Sequence, residues 1–109
     1  MFELEKLKDN NAIFWIFMFP EIRKTAANLG WAIGVHGSVV HDLDLMAMPW
    51  VEEHCPADML AKQIAGVCNH WEDCHYTKHE NEKPCNRVVY TIPAGASYID
   101  LNVIKEDRI

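Results

Sequence analysis

The chain has 109 residues, half of them hydrophobic and 24% charged, a balance that suits one folded domain and excludes disordered and collagen-like classes. That length leaves no room for two independent cores, so residues 1–109 read as a single domain. Sixteen acidic residues against ten basic ones give a formal charge of −6. No cluster of Lys or Arg breaks the balance, which argues against a protein that grips nucleic acid through its phosphates.

The most apolar run, Ala12 to Phe19, is eight residues long, against roughly twenty needed to cross a bilayer. The residues before it (Glu3, Glu5, Lys6, Lys8, Asp9) mix both signs and no small-x-small site follows, so neither a membrane span nor a secretory signal is expected, and the expected location is cytoplasmic. Cys55, Cys68, Cys74 and Cys85 then read as reduced thiols rather than as two disulfides. Ile13, Phe14, Ile16 and Phe17 match a helical stripe, and Ile22, Ala26 and Leu29 continue it between Pro20 and Gly30. The pattern predicts helix from near Asn11 to Leu29 with a kink at Pro20. Six large apolar residues in a row, Ile13 to Met18, exceed what one small core face needs and point to a homodimer contact.

From Trp31 the period becomes two. Trp31, Ile33 and Val35 alternate with Ala32, Gly34 and His36, and after Gly37-Ser38 a second alternation sets Leu43, Leu45 and Ala47 against Asp42, Asp44, Met46 and Met48. Pro56-Ala57-Asp58 opens a helix whose apolar stripe is Met59, Leu60, Ile64, Val67 and Cys68. Residues 69–86 carry few apolar side chains beyond Trp71 and Tyr76 and read as a long loop. Arg87 to Ile92 and Ser97 to Ile104 then read as a hairpin joined by residues 93–96. The expected fold is α+β, in the order α-β-β-α-β-β: a mixed or antiparallel sheet of about four strands with helices on one face.

Aspartate is disfavoured in strands, yet Asp42 and Asp44 hold alternate positions and so share a face. A four-residue hairpin loop sets Ile92 opposite Ser97, Tyr90 opposite Ile99 and Val88 opposite Leu101 on the apolar side. On the other side it sets Val89 opposite Asp100 and Arg87 opposite Asn102. Asp100 is then a third carboxylate on the polar face, with Arg87 within diagonal reach. Three carboxylates converging on one face repel one another without a cation, which points to Mg²⁺ or Mn²⁺ at Asp42, Asp44 and Asp100. Cys68, His70, Cys74, His75, His79 and Cys85 crowd together, but their spacings do not pair into zinc knuckles; Cys68 reads as core and no structural zinc is expected.

Val35-His36-Gly37-Ser38, then Asp42-Leu43-Asp44-Leu45 to Pro49-Trp50, and Tyr98-Ile99-Asp100-Leu101 near the end resemble the nucleotidyltransferase superfamily of the DNA polymerase β type, and more narrowly small phage and bacterial proteins with that pattern. The resemblance covers residues 20–50 and 87–104. It implies that Gly37 and Ser38 cradle the triphosphate of a nucleoside triphosphate, that Asp42 and Asp44 hold two cations, and that Asp100 completes one metal site and polarises the acceptor. His41 beside the Gly-Ser turn and Arg87 on the polar face are further candidates for phosphate contact. One departure is that only Val39, Val40 and His41 separate Ser38 from Asp42, a shorter connection than active members have. The expected function is therefore Mg²⁺- or Mn²⁺-dependent transfer of a nucleoside monophosphate to an acceptor. The alternative is a catalytically inactive phage-type module that binds nucleotide, metal or a host protein.

Overall fold

A computed structural model describes residues 12–37, 42–69, 71, 74–79, 87–94 and 97–104. Helix α1 covers Ala12–Asn28. Strands β1 (Trp31–Val35) and β2 (Leu43–Pro49) follow, then helix α2 (Ala57–Cys68), strand β3 (Thr77–His79), and strands β4 (Arg87–Ala94) and β5 (Ser97–Ile104). They build one five-stranded sheet in the order β1-β2-β5-β4-β3. β2 and β5 run parallel; every other neighbouring pair is antiparallel.

The period-two pattern decides which face is covered. Leu43, Leu45 and Ala47 of β2, Ile99, Leu101 and Val103 of β5, and Val88, Tyr90 and Ile92 of β4 are buried in one cluster with Trp15, Ile22 and Ala26 of α1 and Leu60, Ala61, Ile64 and Ala65 of α2. Both helices therefore lie on the same face, and the intervening residues Asp44, Met46, Asp100, Thr91 and Val89 are half-buried on the other. Gly30 makes the sharp passage from α1 to β1. Its φ is +90°, and a Cβ there would stand 2.7 Å from the Cα of His54, so both conformation and space call for glycine.

Pro20 lies inside α1 rather than at a break. Pro20 and Ile16 are both exposed, so the backbone bond that proline cannot donate is lost on the solvent side. The expected start at Asn11 lies outside the described residues. Ile16 and Phe17 are 64% and 73% exposed, whereas Trp15 between the helix and the sheet is buried.

Two expectations about the sheet need correction. The first concerns strand number, which is five rather than about four, because Thr77–His79 within the expected loop pairs with β4: Thr77 with Thr91, Lys78 with Tyr90, His79 with Val89. Such a strand of three polar residues at a sheet edge has no apolar alternation to announce it. The second concerns the hairpin, which is tighter than expected. Ala94 pairs with Ser97, which sets Ile92 opposite Ile99, Tyr90 opposite Leu101, Thr91 opposite Asp100 and Arg87 opposite Ile104. The strands extend through Pro93 and Ala94, so the register differs by two residues from the four-residue loop. An even slip leaves every side chain on its expected face.

Cys55, Cys68 and Cys74 are free thiols; Cys85 lies outside the described residues. Cys68 is buried in α2 as its place in the apolar stripe implies, and burial pushes its thiol pKa up to about 12. Among the described residues no helix is long and apolar enough to cross a membrane.

Candidate functional site

Parallel pairing of β2 with β5 sets Asp44 directly beside Asp100. Asp42, two residues earlier, points to the same face. One carboxylate oxygen from each of Asp42, Asp44 and Asp100 lies within 4.8 Å of the other two. Two separate stretches of alternation thus converge, and among the described residues no other group of His, Cys, Asp and Glu does so.

The surroundings show what this convergence costs. Burial first, then the charges of Asp42 and Asp100, raise the pKa of Asp44 above its ordinary value, while His36 pulls it back in part. Hydroxyls stand beside the other two acids. Tyr98 hydrogen-bonds Asp42, and the nearby charges of Asp42 and Asp100 push the tyrosine's own pKa up. Thr91 donates its hydroxyl to Asp100 Oδ1 at 2.9 Å. The donor set is all oxygen, which fits a hard divalent cation such as Mg²⁺ or Mn²⁺ and not a thiophilic metal. Asp42, Asp44 and Asp100 are the residues that would hold it.

A cavity of about 300 Å³ opens beside the cluster, lined by His36, Asp44, Arg87, Val89, Asp100 and Asn102. At its floor the Asn102 amide, 8% exposed, donates to the backbone oxygens of Leu45 at 3.1 Å and Asp100 at 3.3 Å, tying β5 to β2. Arg87 sits on the opposite wall from the aspartates' strand β2, with a buried Nε that meets no acceptor among the described residues. The cavity therefore offers carboxylates on one side and a guanidinium on the other, an arrangement suited to a cation-bound anion such as a polyphosphate.

Gly37 follows β1 with φ +86°, and a Cβ there would stand 3.4 Å from Asp44 Oδ2. The backbone N–H of His36 donates to the Asp44 carbonyl at 2.7 Å, continuing the β1–β2 ladder to the edge of the acidic cluster. Of the residues expected at the site, the structure brings together Asp42, Asp44, Asp100, Gly37 and Arg87; Ser38 and His41 lie outside the described residues. Sequence reasoning missed Tyr98, Thr91 and His79. Tyr98 was detectable, because it shares the face of Asp100 by parity; the other two depend on strand pairing. No family model, curated protein or solved structure matches the chain.

Proposed function

We propose that this chain is a minimal nucleotidyltransferase-like protein that transfers a nucleoside monophosphate from a nucleoside triphosphate to an acceptor, in a Mg²⁺- or Mn²⁺-dependent reaction. The observation that carries this reading is the placement of Asp44 against Asp100 across a parallel strand pair with Asp42 alongside. The resemblance of the Gly-Ser, Asp-x-Asp and later Asp pattern to the polymerase β type points the same way. In the reaction an acceptor oxygen forms a bond to the α-phosphorus, the α–β anhydride breaks, pyrophosphate leaves, and Asp100 takes the acceptor's proton. Asp42 and Asp44 would hold the cations, which would supply positive charge to stabilise the transferring phosphoryl group. Arg87 faces the anionic tail, and the backbone at Gly37 approaches it without a side chain in the way. A protein hydroxyl in the cytoplasm would serve as acceptor, and exposed Ile16 and Phe17 are the surface a second copy would cover.

Incubating the protein with each labelled triphosphate and Mn²⁺ tests the proposal. Product and pyrophosphate are expected from the parent, and a fall of several orders of magnitude in Asp44→Asn. Turnover that is unchanged in that variant would overturn the mechanism.

A second reading has its own observation. The β1–β2 ladder continues to His36 and Asp44, leaving only residues 37–42 before β2 begins, a short enclosure for a triphosphate. A non-catalytic module that binds a metal, a nucleotide or a host protein through the same carboxylates fits that geometry. It predicts Mn²⁺ binding without turnover.

A further inference from the structure

The open face carries a row of polar groups that crosses the sheet at right angles to its strands. His36 stands at the end of β1, Asp44 on β2, Asp100 on β5 and Thr91 on β4, each beside the next. On β3, His79 pairs with Val89 and reaches diagonally to Thr91, its Nε2 3.0 Å from Thr91 Oγ1. Such diagonal neighbours are within reach of long side chains on one face.

The hydrogens in this row are determined by counting. A threonine hydroxyl has one hydrogen, and Thr91 gives it to Asp100 Oδ1. Toward His79 the same oxygen can only accept, so His79 Nε2 must carry a hydrogen. The direction of donation is therefore His79 to Thr91 to Asp100, with each bond polarising the next. The donor Thr91 stands on the side of Asp100 opposite Asp44.

We propose that Thr91 and His79 are positioning residues for Asp100. They orient its carboxylate for a divalent cation shared with Asp42 and Asp44, and this role rests on the metal-site reading given above. Outer partners that orient a ligating group are commonly worth 10–100-fold in metal affinity. The short edge strand β3 would thus serve the site without touching the cation.

Mn²⁺ titration followed by electron paramagnetic resonance tests this, on the full chain and five variants. Thr91→Val, which removes the hydroxyl, is expected to weaken Mn²⁺ binding about tenfold or more, and Thr91→Ser, which keeps it, to stay within about twofold of the parent. His79→Leu should weaken binding by a smaller factor, and His79→Gln, whose amide N–H₂ can replace the Nε2 donor, should recover it. Asp44→Asn serves as the control for the site itself. Parent-like binding in Thr91→Val, beside lost binding in Asp44→Asn, would overturn the relay and leave the metal site standing. Absence of binding by the parent would overturn both. A second measurement needs no metal: the ¹⁵N spectrum of the His79 ring at mildly alkaline pH should show the hydrogen on Nε2, and Thr91→Val should release that preference. A ring with its hydrogen on Nδ1 in the parent would overturn the relay whatever the cation does.

Discussion

Asp44 and Asp58 are the same side chain in opposite circumstances. Asp44 faces two other carboxylates on the open side of the sheet, and burial and repulsion raise its pKa. Asp58, in the first turn of α2, accepts a hydrogen bond from the buried Tyr90 hydroxyl and an ion pair from Lys78 at 3.1 Å, and these partners lower its pKa. Tyr90 also stacks edge-on with Tyr76 at 5.3 Å, and the Lys78 ammonium lies 5.8 Å from its ring. The Asp58 junction thus ties α2 to β4 and the edge strand, which is what a structural carboxylate does. The ionised Asp44 opposes folding of the metal-free chain, and a group that a fold tolerates at its own expense is a candidate for chemistry.

Four measurements sharpen or break this contrast. The largest effect is expected on cation binding: Asp44→Asn should weaken Mn²⁺ affinity by about 100-fold or more, whereas Asp58→Asn should leave it unchanged. Equal losses in the two variants would erase the distinction. Next comes Tyr90→Phe, which removes the hydroxyl from Asp58 and should cost about 1.5 kcal/mol at neutral pH in a denaturant titration. Because Asp58 has a folded pKa below its unfolded one, that stability is present above the ordinary value of 3.8 and is lost as the pH falls through the folded value. The difference between Tyr90→Phe and the parent should therefore shrink in acid. Gly37→Ala places a methyl at φ +86° beside Asp44 and should cost roughly 1 kcal/mol by thermal melting. The smallest effect has the reverse sign. Metal-free Asp44→Asn should gain about 0.5 kcal/mol at neutral pH. Since the folded pKa of Asp44 lies above its unfolded value, its protonated form stabilises the fold below pH 3.8, and that contribution is lost as pH rises through the raised value. The gain should accordingly disappear in acid, and saturating Mn²⁺ should convert it into a loss relative to the parent.

The acidic cluster was legible in the sequence because strand alternation is a parity rule. Asp42 and Asp44 share a face whatever their partner, and Asp100 keeps its face under an even slip of the hairpin, so the two-residue error in register left the carboxylates together but moved Arg87 from the expected diagonal of Asp100 to a place opposite Ile104. What alternation does not carry is which strands are neighbours. The parallel contact of β2 with β5 joins distant segments, and no local pattern specifies it. β3 was missed for a related reason: Thr77, Lys78 and His79 owe their strand conformation to the exposed edge of β4, not to a pattern of their own. The Thr91–His79 relay was hidden with it. Cys68 and the two helices, by contrast, followed from apolar spacing together with local Pro and Gly boundary signals, and Pro20 within α1 shows that a single breaker yields to packing of Trp15 and Ile22 on either side.

The position of β5 has a consequence for how the molecule assembles. The last described strand in the chain is the middle one of the sheet, and its bond from Asn102 to Leu45 spans 57 residues. Closing so long a loop must precede the contacts that reward it, which slows folding relative to a chain of local pairings. Until the β4–β5 hairpin docks against β2, Asp42 and Asp44 stand on an edge without Asp100, even though Thr91 and Asp100 already face each other within the hairpin. The acidic cluster is then the final part of the sheet to come together, and cation affinity becomes a reporter of completed folding rather than of any single strand.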